Sequence, residues 1–246
     1  MDEQRDTEQR DTNAEVWKSD EAVRAWVADA ETPRRARHAE WRLMGQLLPV
    51  GENDTFTFLD LGAGTGAAAR AILDLYPNSK AILADYSPQM MNEATSIMRA
   101  YSGRFDYLEF DMLVGAWPAS MPAAVDAVIT SQCVHHLPDS RKQGLFTEIL
   151  DRLVPGGWYL SFEPIAADDE IVAQAWERAS DRLDPDAAHK RAHQTPEERA
   201  LRHNHVRHLI PLAPQLEFMR AAGFEAIDVY WKKLDYVIYG GRRPTP

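Results

Sequence analysis

Three kinds of residue in this 246-residue chain have types and spacing suited to chemistry. Glycines stand at alternate positions in Gly62-Ala63-Gly64-Thr65-Gly66, directly after the short apolar stretch Phe58-Leu59-Asp60-Leu61. Carboxylates recur where apolar stretches end, at Asp60, Asp85 and Asp111. Adjacent histidines, His135-His136, follow a fourth such stretch, and His189, His193, His203, His205 and His208 crowd one charged segment. Alternate glycines let a chain turn sharply and let a ligand approach the backbone. A helix opening on the alanines that follow would offer unpaired N–H groups and a positive dipole end to a carboxylate or phosphate. Imidazoles titrate near neutrality, so the paired histidines could take a proton from a reacting group.

Positioning these residues takes strands that end at the acids and helices that begin after them. Strand patterns cover Phe56–Leu61, Lys80–Asp85, Phe105–Phe110, Ala124–Ser131 and Trp158–Glu163. Helical patterns lie between them, over roughly Ala67–Tyr76, from Ser87-Pro88 onward, and from about Asp139 to Leu153, where Pro155-Gly156-Gly157 should stop the chain. Ser87 suits an N-cap and Pro88 the first helical position. Such alternation predicts an α/β fold with a parallel sheet covered by helices on both faces. Residues 164–210 break the rhythm with charged helical periods. A helix over Leu212–Ala222, a Gly223 cap, and strands Ala226–Lys232 and Asp235–Tyr239 follow, the last two too closely linked to be anything but an antiparallel hairpin. Ahead of the sheet, Asn13–Leu48 carries two helical patterns broken near Thr32-Pro33. Val16, Trp17, Val23, Trp26 and Val27 share one face, and Trp41, Met44, Leu47 and Leu48 another; packing outweighs a ligand-covering role for the tryptophans. Residues 1–12 repeat Glu-Gln-Arg-Asp-Thr with nothing apolar to bury, which predicts a disordered tail. Residues 13–246 read as a single domain.

Net charge is −11, which disfavours nucleic acid and anionic membrane surfaces as partners. No apolar run approaches the ~20 residues of a membrane span. The single cysteine, Cys133, excludes an intrachain disulfide and reads as buried packing rather than a nucleophile. With no apolar leader, a cytoplasmic location is expected.

Read as G-x-G-x-x-A, the loop fits a dinucleotide; read as G-x-G-x-G, it fits S-adenosylmethionine. Asp85 could accept from ribose hydroxyls in either case. Asp111 could accept from an adenine amino group with Met112 against the ring. Asp60 would suit an ammonium and would be a poor neighbour for a pyrophosphate. The closing hairpin also leaves no second mononucleotide half.

From about Phe56 to Tyr239 the chain resembles the class I S-adenosylmethionine-dependent methyltransferases. The resemblance rests on Leu59–Gly66, Ala84-Asp85-Tyr86-Ser87-Pro88-Gln89-Met90, Phe110-Asp111-Met112, Val134-His135-His136-Leu137-Pro138-Asp139 and Leu153-Val154-Pro155-Gly156-Gly157. It implies a Rossmann-like doubly wound sheet of seven strands, the last antiparallel and inserted between strands 5 and 6. It implies S-adenosyl-L-methionine as cofactor, with Asp60, Gly62, Ala63 and Gly64 at its methionine end together with Ser131 and Gln132. Asp85 and Tyr86 would lie at the ribose, Asp111 and Met112 at the adenine, and Met90 over the adenine's other face. The N-terminal helices and the insertion 164–210 would form a lid over a small-molecule acceptor.

A sulfonium is already a strong methyl donor, so in-line placement of an O or N acceptor can supply most of the acceleration. His135 and His136 are the candidate bases, set against a purely structural His-His-Leu turn. In the insertion, Arg199, Arg202 and Arg207 would suit an acceptor carboxylate. His189 and His193, at i, i+4, could share a metal. Without an accompanying metal signature, substrate contact or solvated surface weighs more, and no metal is assigned. Other readings stay open: a carboxy-S-adenosylmethionine synthase-like enzyme, suggested by the arginine-bearing insertion and Ala222-Gly223-Phe224, a non-catalytic adenosylmethionine-binding protein, and, least supported, a nicotinamide dehydrogenase. A homodimer is also left open.

Overall fold

A computed structural model describes residues 17–30, 37–114 and 117–246. The expected tail at 1–12, Val16 and the break near Thr32-Pro33 lie outside the described residues. Two helices, α1 (Asp20–Ala30) and α2 (His38–Leu47), precede the sheet. Then come β1 (Thr57–Leu61), α3 (Ala67–Leu75), β2 (Lys80–Asp85), α4 (Pro88–Ile97), β3 (Phe105–Glu109) and β4 (Val125–Ser131). The chain continues through α5 (Asp139–Arg152), β5 (Leu153–Pro164), α6 (Glu170–Leu183), α7 (Pro185–Ala192) and α8 (Pro196–Val206). It closes with α9 (Leu212–Ala222), β6 (Glu225–Lys233) and β7 (Tyr236–Arg242).

The seven strands lie in the order β3-β2-β1-β4-β5-β7-β6. Strands β1 to β5 pair in parallel, and β7 runs antiparallel to both β5 and β6. Side chains alternate between the two faces, as strand geometry requires. Phe58, Leu83, Ile129, Leu160 and Phe162 pack with Met44, Ala69 and Ile72 of α2 and α3. Leu59, Leu61, Val128, Tyr159 and Tyr239 pack on the other face with Phe146, Ile149 and Met219 of α5 and α9. Each fully buried aromatic or leucine here stabilises the fold by roughly 1.5–3 kcal/mol. Gly240 lets β7 settle beside β5, because a side chain there would meet the Tyr159 carbonyl at 2.2 Å.

Capping follows the expected chemistry. The Ser87 hydroxyl accepts from the Met90 N–H at 3.1 Å with Pro88 at the start of α4, and Gly223 ends α9 at φ 102°. One expectation is corrected: β5 begins at Leu153, not Trp158. Pro155-Gly156-Gly157 does not separate helix from strand. It forms a register shift inside β5, with Gly156 at φ 81° and hydrogen bonds from Gly156 N to Arg243 O and Arg243 N to Gly157 O. Turn-forming residues here make a bulge rather than a break.

Candidate active site

A cavity of about 1530 Å³ opens at the carboxyl ends of β1, β2 and β4, where parallel α/β sheets place their ligands. The glycine loop forms its floor. Gly62, Gly64 and Gly66 have φ of 70°, 52° and 77°, a region closed to most side chains. The loop is pinned to β2 by Gly62 N and Ala63 N, both donating to the Ala84 carbonyl. At Gly62 an added Cβ would stand 2.5 Å from Cys133 Cβ, so the loop and the end of β4 touch through glycine alone.

Asp85 holds this arrangement from the side. One carboxylate oxygen accepts from Gly64 N at 2.8 Å and the other from Ser87 N at 2.9 Å. Burial raises its pKa, and these backbone donors pull it partly back. The Tyr107 hydroxyl donates to the Gly64 carbonyl at 2.6 Å, closing the loop's other edge. Asp60 is different. It is 1% exposed, and among the described residues no donor meets either of its oxygens in full hydrogen-bond geometry. Burial pushes its pKa up to about 8, the backbone N–H of Ala69 pulling against the rise and the charge of Asp85 adding to it.

The remaining cavity wall gathers the residues expected of it. Asp60, Gly62, Ala63, Gly64, Asp85 and Tyr86 all line the cavity. So do Met90, Asp111, Met112, Ser131 and Gln132. Asp111 accepts from Leu113 N at 2.8 Å. Ser131 Oγ accepts from Trp41 Nε1 at 2.8 Å, which ties α2 to the end of β4. Gln132 sits at φ 55°, a conformation that costs a non-glycine residue about 1–3 kcal/mol and clusters at functional sites. Trp17, Trp26 and Trp41 all line the cavity, and Trp41 also packs in the core. Trp17 and Trp26 meet edge-to-face at 5.6 Å, and Trp26 reaches 4.0 Å from the position of a Cβ on Gly64.

Beyond β4, Val134–His136 form a single helical turn that turns His135 inward. His135 Nδ1 lies 2.6 Å from Glu163 Oε2, while Glu163 Oε1 accepts from Cys133 N and Val134 N at 3.0 and 3.1 Å. Glu163 is fully buried, and the second ring nitrogen of His135, Nε2, has no partner. His136 stacks beside it at 3.9 Å between ring centroids, and His205 of α8 meets both, at 5.1 and 4.6 Å. Burial pushes the His136 pKa well below its ordinary value, assisted by the neighbouring cationic and imidazole groups, so its ring is neutral at pH 7. The Cys133 thiol donates to the Leu61 carbonyl, and burial beside Glu163 raises its pKa well above normal. A thiol so protonated is a poor nucleophile.

Among the insertion histidines, His189 and His193 stack on each other at 4.1 Å, and both line the cavity together with His205 and His208. Arg202 and Arg207 line the cavity, whereas Arg199 donates to the Gln194 carbonyl at the start of α8. Glu163 and the meeting of His205 with His135-His136 were not foreseen from sequence. An acid at the end of an otherwise apolar strand was the available signal for the first; nothing local marks the second.

Residues 58–157 match the family model of a methyltransferase domain. No curated protein matches the chain. Among solved structures, human N-acetylserotonin methyltransferase in complex with SAM aligns at TM-score 0.63 and 18% identity, over 94% of this chain and 58% of that one. PigF with SAH aligns at 0.63 and 17%, over 93% and 61%. An O-methyltransferase family protein from Burkholderia thailandensis aligns at 0.58 and 19%, over 97% and 69%. The chain thus spans about three fifths of the length of the first two. At these identities the likeness is one of fold.

Proposed function

This chain has the fold of the class I S-adenosylmethionine-dependent methyltransferases, and on that premise we propose that it methylates an oxygen or nitrogen atom of a small-molecule acceptor. The observation that carries the reading is Asp60. A buried carboxylate beside a glycine loop, with no donor in full hydrogen-bond geometry on either oxygen among the described residues, calls for a cationic, hydrogen-bond-donating ligand group, as the ammonium of S-adenosylmethionine is. Asp85 keeps lone pairs for ribose hydroxyls after accepting one backbone N–H on each oxygen. Tyr86 would flank the ribose, with Asp111, Met112 and Met90 around the adenine, and Ser131 and Gln132 beside the methionine portion. When bound, the cofactor supplies an activated methyl group on a sulfonium.

The chain's own contribution is to bind, orient and desolvate. The segment α6–α8, with Trp17 and Trp26 opposite, acts as a lid over the acceptor. Arg202, Arg207 and Lys233 favour an acceptor bearing a carboxylate. His135 and His136 face the reacting end. Glu163 fixes the orientation of the His135 ring and supports its Nε2 as the proton-accepting nitrogen.

The test is calorimetric titration of the protein with S-adenosylmethionine, alongside Asp85→Ala. Wild type should bind in the micromolar range. The variant, which loses the acceptor for Gly64 N–H and Ser87 N–H as well as the ribose contact, should bind roughly 100-fold more weakly, two lost charge-assisted hydrogen bonds being worth about 3 kcal/mol. A folded wild type that binds NAD and not S-adenosylmethionine would overturn the reading.

A further inference from the structure

We infer that His135, His136 and His205 form a binding site for a divalent first-row transition metal at the acceptor end of the cavity. One nitrogen from each ring lies within 4.8 Å of the other two. Around an ion with metal–nitrogen bonds of about 2.0–2.1 Å, ligand nitrogens stand roughly 3–4 Å apart, so small ring rotations and a slight inward shift of α8 complete the set. The three residues come from two elements, the turn after β4 and helix α8.

An independent observation points to a ligand at this place. His135 is 3% exposed and its Nε2 has no partner. Its Nδ1 lies against Glu163, whose other oxygen is held by two backbone N–H groups and so cannot swing away. A carboxylate that receives the Nδ1–H fixes the tautomer, leaves the Nε2 lone pair outward and raises its basicity; metal-ligating histidines are supported in this way. Of the charged groups nearby, Glu163 favours a cation. Lys142, the opposing charge, is engaged by the His208 carbonyl at 2.5 Å and by Asp139 at 3.2 Å.

Three imidazoles with open positions toward a cavity make a catalytic type of site rather than a closed structural one. Imidazole sets suit zinc, iron, cobalt and nickel over magnesium or calcium. An ion here would take up the Nε2 lone pair of His135 and so replace its role as a base: it would instead lower the pKa of an acceptor hydroxyl or enol that reached it, and would tether α8 to the sheet. Metal binding stands on the side chains alone; its use on the acceptor rests on the methyl-transfer reading.

The probe is Co²⁺, followed by its visible absorption during titration of chelator-stripped protein. Wild type should give a band saturating near one equivalent. His205→Ala, a change at an exposed helix position, should abolish it, and His203→Ala on the same helix should leave it intact. Glu163→Gln should weaken Co²⁺ binding about 10–100-fold; if that variant fails to fold, His205→Ala decides alone. The absence of a saturable band in wild type, or a band that survives His205→Ala, overturns the site. Titration of the same stripped protein with S-adenosylmethionine separates the two readings. Cofactor binding without the cobalt band removes the metal and leaves methyl transfer standing. The band without cofactor binding does the reverse.

Discussion

The two ends of the cavity are built on opposite principles. At the glycine-loop end, every residue of β1 after Thr57 is buried, and Asp85, Ala84 and Tyr107 hold the loop by four hydrogen bonds to its backbone. At the other end, α6 and α7 have no buried residue at all, and they meet the cavity mostly through polar and charged side chains, with Leu183 and Ala187 among them. The first end is shaped before any ligand arrives; the second is held by contacts that water can replace. A fixed socket suits a ligand that never changes, and an adaptable rim suits one that differs between proteins of the same fold. Substitutions should therefore be felt very differently at the two ends.

The largest effect is expected at Gly62→Ala. Its methyl group would lie 2.5 Å from Cys133 Cβ and 2.7 Å from Sγ, on a backbone at φ 70°. We expect a loss of about 2–4 kcal/mol by chemical denaturation, together with loss of cofactor binding. A variant of near-native stability would show that the loop is pliant and erase the contrast.

A smaller effect should appear with pH. Asp60 holds its proton in the folded protein up to about pH 8, against an ordinary pKa of 3.8. A pKa raised on folding means that the folded state binds more protons between these values. Its stabilising contribution is complete below about pH 4 and is lost as pH rises through about 8. A cationic ligand group favours the ionised carboxylate, so affinity for S-adenosylmethionine should run the other way. It should improve about tenfold from pH 6 to pH 7, where the ligand's α-amino group is still charged, and release a proton, measurable by calorimetry in buffers of different ionisation enthalpy. Asp60→Asn should flatten both profiles. A flat wild-type profile would mean that the loop end carries no such stored protonation.

The smallest effect is expected in the helical segment. Arg191 pairs with Asp181 between α7 and α6, both side chains partly in water. Arg191→Ala should change stability by less than about 1 kcal/mol and leave cofactor affinity unchanged. A large loss of cofactor affinity would show that the two ends are coupled.

The same contrast decides what could be read from the chain. Asp60, Gly62, Gly64 and Asp85 announce themselves locally, because a left-handed turn needs glycine and an acid at a strand end is visible one residue at a time. The parallel sheet followed from alternation and the antiparallel hairpin from the short β6–β7 link, whereas the place of the last strand between β5 and β6 came from the family resemblance. His205 carries no such mark: its meeting with His135-His136 depends on how α8 docks, which no window of sequence contains. Trp17 and Trp26 looked like core stripes because apolar periodicity does not distinguish burial in a core from burial against a cavity. Pro155-Gly156-Gly157 carried true turn chemistry but the wrong consequence, since a bulge and a strand start use the same residues.

The placement of β7 has a consequence for how the molecule is made. β7, the last strand in sequence, pairs on both sides, with β5 and β6, so the edge of β5 cannot be closed while residues 236–242 are still inside the ribosome. The nascent chain therefore carries an open strand edge until synthesis has passed Arg242, and open edges are templates for association with other chains. A chain cut short ahead of β7 would leave the edge of β5 exposed and would be aggregation-prone rather than merely shortened.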